Sequence, residues 1–129
     1  MFDFHDFFDV SKKIEQNNVM EKEAFRRTAV SRAYYSIFKL ADEYLKKNYS
    51  SIYHTFGGGG SHQKVWNMYD RCSPIDQMGI SDKGFRLLDL RKKADYIENE
   101  TISKSDVKLA NREAEKIINR LDGSSHIKS

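Results

Sequence analysis

Two arginines stand at the margins of apolar stripes in this sequence, and each raises a question of chemistry. Arg32 falls within the densest apolar run, with Thr28 and Ser36 four residues to either side of it, at the edge of a face formed by Val30, Ala33, Tyr34, Ile37, Ala41, Tyr44 and Leu45. A cation in that position calls for a carboxylate, because a buried charge without a partner is costly. Arg91 follows Leu87 by four residues and Leu88 by three, and Asp95 lies one turn further on the same side, so the two can face a shared groove. The expected solution is a buried pair between Arg32 and Asp95, with the hydroxyls of Tyr35 and Tyr96 satisfying the remaining polar atoms. The basic runs Arg26-Arg27, Arg91-Lys92-Lys93, Lys12-Lys13 and Lys46-Lys47 read as solvated faces. Where such runs converge they form a phosphate-binding patch.

Other reactive residue types are sparse. Cys72 is the sole cysteine, which excludes an internal disulfide and a zinc site built from cysteine pairs, and its expected role is packing. His5, His54 and His126 have no companion at metal-ligand spacing, so neither a metal nor another cofactor is expected. His62 would occupy the first turn of a helix. The four glycines at 57–60 invite comparison with a phosphate-cradling loop, but the required Lys-Ser or Lys-Thr ending and the preceding strand are missing. A flexible connector over residues 49–60 is the better reading.

The elements that must position these residues are helical throughout. Phe4, Phe7, Phe8, Ser11 and Ile14 follow a helical period, predicting a first helix over 3–16 that seals the bundle with phenylalanine. Asn18 and Glu21 have capping-box spacing and predict the start of a central helix that runs to about residue 48. Phe25, Ala29, Phe38 and Leu40 widen its apolar stripe, so it needs neighbours on several sides. Ser61 caps a third helix through Cys72 packed by Val65, Trp66, Met68 and Tyr69, and Ser73-Pro74 breaks it. Ile75 and Met78 anchor the loop that follows. Ser81 or Asp82 caps a fourth, with Leu87, Leu90, Ala94 and Ile97 as its stripe and Phe85 and Leu88 extending it. The last begins at Ser103-Lys-Ser-Asp106, repeats Val107, Ala110, Ala114, Ile117, Ile118 and Leu121, and ends at Gly123, leaving 123–129 as a disordered tail. The fold class is all-α: a single-domain bundle of about five helices over 1–122.

Three stretches resemble small prokaryotic HEPN domains. Ser31-Arg-Ala-Tyr-Tyr-Ser-Ile-Phe is similar to the family's second-helix signature, Ser61-His62-Gln-Lys-Val65 to its histidine-bearing third helix, and Leu90-Arg91-Lys-Lys-Ala94-Asp95-Tyr96 to its Arg-x-x-Ala-Asp-Tyr motif. The resemblance implies an all-α bundle that pairs into a homodimer through its motif-bearing helices. In the active branch of the superfamily an arginine and a histidine four to six residues apart cut RNA. Here Arg91 supplies the arginine, and Tyr96 stands where the histidine would be. A tyrosine with an unperturbed pKa of about 10 is mostly a proton donor, so cleavage through this motif alone is not expected. His62 approaching Arg91 would restore a proton-transfer group beside a cation. The catalytic candidates are thus Arg91, Tyr96 and His62, and the binding candidates Arg32, Tyr35, Lys92, Lys93 and Asp95.

Composition bounds the partners. The 129 residues suffice for one domain, with 39% apolar residues to build its core. The net charge of +3, with both signs interspersed, does not by itself declare a nucleic-acid binder. The first residues are acidic where a signal peptide is basic, and no apolar run reaches the roughly 20 residues that span a bilayer, so a cytoplasmic protein with no membrane partner is expected. Three functions fit these observations. One is a module that binds nucleotide, RNA or a nucleotidyltransferase-type protein, in the toxin–antitoxin or defence setting that the resemblance implies. The others are a metal-independent ribonuclease toxin and a structural homo-oligomer.

Overall fold

The computed structural model describes residues 1–55, 61–71 and 79–128, with side chains to residue 123 in the last segment. The expectations for glycines 57–60, Cys72, Ser73-Pro74, Ile75 and Met78 lie outside the described residues. The chain is an all-α, single-domain bundle of α1 (His5–Gln16), α2 (Glu23–Asn48), α3 (Ser50–Thr55), α4 (Ser61–Arg71), α5 (Ile80–Tyr96) and α6 (Lys104–Lys128). Among the described residues no helix is long and apolar enough to cross a membrane.

The bundle is wound round α2, which touches every other helix. The stripe of Val30, Ala33, Tyr34, Ile37, Ala41, Tyr44 and Leu45 is buried along its length, with Ala29 and Phe38 beside it. Each large apolar side chain sealed there contributes about 1.5–3 kcal/mol of burial free energy. Phe25, assigned to the same stripe, is exposed. In α4, Val65, Trp66, Met68 and Tyr69 are buried, and in α6 so are Val107, Ala110, Ala114, Ile117, Ile118 and Leu121.

Several helix ends depart from the expected ones for identifiable reasons. The capping box at Asn18 and Glu21 does not form, and α2 starts at Glu23 with no side-chain cap. Arg26 instead holds the preceding turn by donating to the carbonyls of Met20 and Glu21 at 2.7 and 3.0 Å, while Glu21 pairs with Lys104. α5 begins before Ser81, because Gly79 adopts a left-handed φ of 70° that a side chain would strain. At the expected start of α6, Ser103 and Asp106 form a capping box that the sequence reading did not name, each backbone N–H bonding the other's side chain at 2.9 and 3.1 Å. α6 continues through Gly123 to Lys128, where a tail was expected.

α3 occupies part of the expected connector. A six-residue helix has too few internal bonds to persist alone. Its Tyr53 hydroxyl donates to Asp42 at 2.7 Å, and the ammonium groups of Lys46 and Lys64 lie 5.5 and 4.6 Å from the ring centre. α1 also differs from expectation: its phenylalanines are half-buried, and its fully buried residue is Ser11. That hydroxyl lies within hydrogen-bond reach of the Ala29 carbonyl and the Asn111 side chain, at 2.7 and 2.6 Å, tying α1 to α2 and α6.

Candidate functional site

The three stretches singled out by sequence lie on α2, α4 and α5, and these helices bring them to one face. α4 rests on α5 where Trp66 covers Gly84; a Cβ there would stand 2.3 Å from the indole. The contact needs glycine, and it sets how closely α4 lies on α5. The Trp66 indole N–H then donates to the Tyr34 hydroxyl at 3.1 Å, and that oxygen lies 2.8 Å from His62 Nδ1. Phe38, one turn after Tyr34, stacks on the imidazole at 4.0 Å with 24° between the planes.

The electrostatics of His62 report its neighbours. Burial, followed by the positive charges of Arg91, Lys92 and Lys39, pushes its pKa below the ordinary histidine value. Tyr34 is pushed up, mainly by burial, and keeps its proton. His62 is thus a neutral imidazole among three cations drawn from two helices.

Arg91 spans the gap from this cluster to the end of α5. Its Nε donates to Asp95 Oδ2 at 2.9 Å, and its guanidinium lies 5.2 Å from the centre of the Tyr96 ring. Its terminal nitrogens have no acceptor among the described residues. Tyr96 is 69% exposed and reaches the cluster through Arg91. Lys92 is exposed, and Lys93 contributes its carbonyl to a structural clamp rather than its ammonium to this face.

The expected pairing of Arg32 with Asp95 is not what forms. Arg91, one turn before Asp95 on the same helix, takes Asp95 Oδ2, which also accepts from Ser31 Oγ at 3.2 Å. Among the described residues Arg32 has that serine as its one hydrogen-bond acceptor, at 3.4 Å, and lays its guanidinium over Phe7 at 5.0 Å and Tyr35 at 5.8 Å. Ser31 therefore separates the two charges. Neither the Tyr35 nor the Tyr96 hydroxyl bonds to Arg32 or Asp95; Tyr35 is packed edge-on to Phe7, with Lys39 5.7 Å from its ring centre.

Arg26 and Arg27, expected on a solvated face, are structural. Arg27 Nη1 donates to the carbonyls of Lys93 and Ala94 at 3.1 and 2.8 Å, Nη2 to those of Ile97 and Glu100, and Nε to Glu23 at 3.0 Å. Arg26 Nε donates to the Ile102 carbonyl at 2.6 Å. Arg27 thus clamps the end of α5 on which Asp95 and Tyr96 are mounted, and Arg26 the segment that leads into α6.

Sequence reasoning missed Lys39 and the relay through Tyr34 and Trp66. Lys39 offers no signal beyond its charge. Tyr34 and Trp66 read as core residues, and they are, but each carries a polar tip that must find a partner when buried.

The face can bind an anion: it offers N–H donors from His62, Arg91, Arg32 and two lysines, against one engaged carboxylate. Among the described residues no group of three or more acidic, histidine or cysteine side chains is placed to hold a metal ion. Cavities among the described residues lie elsewhere. One of about 160 Å³ is lined by Leu40, Tyr44, Leu121 and Asp122 among others, and one of about 360 Å³ by Val10, Lys13, Ile14, Asn17 and Val19. No protein-family model, curated protein or solved structure matches this chain.

Proposed function

We propose that this chain is a HEPN-like module that binds a phosphate-bearing ligand, RNA or a nucleotide, on the face shared by α2, α4 and α5. The observation that carries this reading is the convergence of Arg91, Lys92 and Lys39 on His62. Positive charges crowd together at a cost in folding free energy, and a bound phosphate relieves it. The three stretches that resemble the family supply this cluster: Tyr34 from the first, His62 from the second, Arg91 from the third. Tyr96, exposed beside Arg91, offers a ring on which a base can stack. In this reading the module is a homodimer, and Tyr96 with exposed Ile97 and Phe25 supplies apolar surface for the second copy or for a nucleotidyltransferase-type partner.

Binding without cleavage is the expected activity, since the one histidine in the cluster already spends a ring nitrogen on Tyr34. Short labelled single-stranded RNA titrated against wild-type protein and Arg91→Ala at low salt tests the reading. The variant should bind about tenfold more weakly, one charge-assisted contact being worth about 1.5–3 kcal/mol at most. The RNA should leave the incubation intact. Equal affinity for both proteins, or none for either, removes the case for a site. Cleavage that disappears in Arg91→Ala would replace binding by the ribonuclease function.

A further inference from the structure

The contacts behind His62 determine which of its nitrogens carries the proton. An indole N–H can only donate, so the Tyr34 oxygen accepts from Trp66, and the single tyrosine proton remains for another acceptor. Tyr34 is fully buried, and the acceptor within reach is His62 Nδ1 at 2.8 Å. Nδ1 therefore accepts, and the neutral imidazole bears its proton on Nε2. In the opposite tautomer the Nδ1 proton would confront the tyrosine proton. Relieving that clash would turn the tyrosine O–H toward no acceptor in a buried site. Phe38, stacked on the ring, holds its plane while Tyr34 holds its rotation. Nε2 has no partner among the described residues.

We infer that Trp66 and Tyr34 are positioning residues that lock His62 as a hydrogen-bond donor at Nε2, so that the site recognises ligands through acceptor oxygens, as a phosphate ester presents them, and refuses ligands that must donate. This rests on the anion-binding reading for the ligand class, though the lock itself does not. The charged groups acting on the ring are Lys39 of α2 and Arg91 and Lys92 of α5, all positive, and they add to burial in holding the imidazole neutral. The carboxylate of the cluster, Asp95, bonds Arg91 and Ser31 instead. A neutral ring with its proton already on the outward nitrogen cannot take a proton from a ribose hydroxyl there. It can hydrogen-bond a phosphate oxygen beside Arg91. The imidazole, the guanidinium groups and the lysines of this face then all act on a ligand as donors.

Nitrogen-15 spectra of the histidine rings in the full chain at about pH 7.5 read the tautomer directly. The His62 signals are identified by their loss in His62→Gln. The expected result is a pure Nε2–H tautomer in wild type and a mixture of tautomers in Tyr34→Phe, which keeps the ring and removes the hydroxyl. Gln keeps an outward N–H donor, so RNA affinity should stay within about threefold in His62→Gln and fall about tenfold in His62→Leu. A protonated Nδ1 in the free wild-type protein at that pH, or a tautomer unchanged in Tyr34→Phe, would overturn the lock. Should Tyr34→Phe not fold, the wild-type tautomer and the Gln and Leu pair decide the matter. A pure Nε2–H tautomer in a protein that binds neither RNA nor inorganic phosphate would uphold the lock and overturn the anion reading, so the two fail separately.

Discussion

Two groups of cations on α2, little more than one turn apart, are used in opposite ways. Arg26 and Arg27 at its start spend their donors on backbone carbonyls of the turn before α2 and of the segment from the end of α5 to Ile102. Helix C-termini present unpaired carbonyls and a negative dipole end, and a guanidinium satisfies both. Arg32 and Lys39, further along, meet ring faces: Phe7 and Tyr35 for the first, Phe4 and Tyr35 for the second. A ring face attracts a cation while leaving most of its N–H groups free. The first group is therefore closed and structural. The second stays open to a ligand, and the same residue types in the same helix divide by what they touch.

The sharpest way to break this comparison is to remove one cation from each group. Arg27→Met keeps the apolar stem and deletes the donors to four carbonyls and Glu23, which should destabilise the fold by about 2–3 kcal/mol, as expected when charged hydrogen bonds to partly buried acceptors are lost. Arg32→Met should cost under about 1 kcal/mol, the worth of a partly exposed cation–π contact. Urea unfolding of the two variants measures both. Equal losses would show that Arg32 is as structural as Arg27.

Next in size is a test of what positions the open group. Gly84→Ala places a methyl against the Trp66 ring, and overpacking of this kind typically costs about 1–3 kcal/mol. Because Trp66 is the far end of the relay to His62, the variant should also weaken RNA binding in protein that remains folded. A folded Gly84→Ala protein with wild-type affinity would disconnect the α4–α5 contact from the site. This glycine shows where the sequence was silent: a glycine inside an apolar helix pattern does not announce which ring lies on it. The long periodic runs of α2, α4 and α6 were legible because burial follows a helical period, and the start of α6 because Ser103 and Asp106 are local in sequence and bond each other's backbone. The box at Asn18 was misread because it has the same spacing, yet Arg26 and Lys104, distant in sequence, draw its groups away. Arg91 with Asp95 was legible as an i, i+4 neighbour pair. The exclusion of Arg32 from that pair was not, since it depends on Ser31 and on Phe7 arriving from another helix.

The smallest effect separates two histidines by sign. Both ring nitrogens of His5 face carboxylates, Nδ1 at 2.6 Å from Asp3 and Nε2 at 3.1 Å from Asp122. Carboxylates only accept, so both nitrogens must donate and the ring is an imidazolium. Burial alone would lower its pKa, but the two carboxylates together outweigh that and raise it above the ordinary 6.5. The unfolded chain then loses this proton before the folded one, so the stabilisation is complete below pH 6.5 and is lost as pH rises through the folded pKa. His62 does the reverse. Its folded pKa is depressed below the ordinary 6.5, so the unfolded chain takes up the proton first and stability falls as pH drops from 6.5 toward the folded value. Melting temperature should therefore be greatest near pH 6.5 and decline by a few degrees at most on each side, since solvent screening keeps half-exposed pairs below about 1 kcal/mol. Asp3, Glu21 and Glu23 titrate below their ordinary values of 3.8 and 4.5, outside a scan from about pH 5 to 8. His5→Gln should flatten the alkaline limb and leave the acid limb, and His62→Gln should do the opposite. A melting temperature that climbs from pH 6.5 to 8 in wild type would show that His5 is not the clasp between α1 and α6 that its two carboxylates make it.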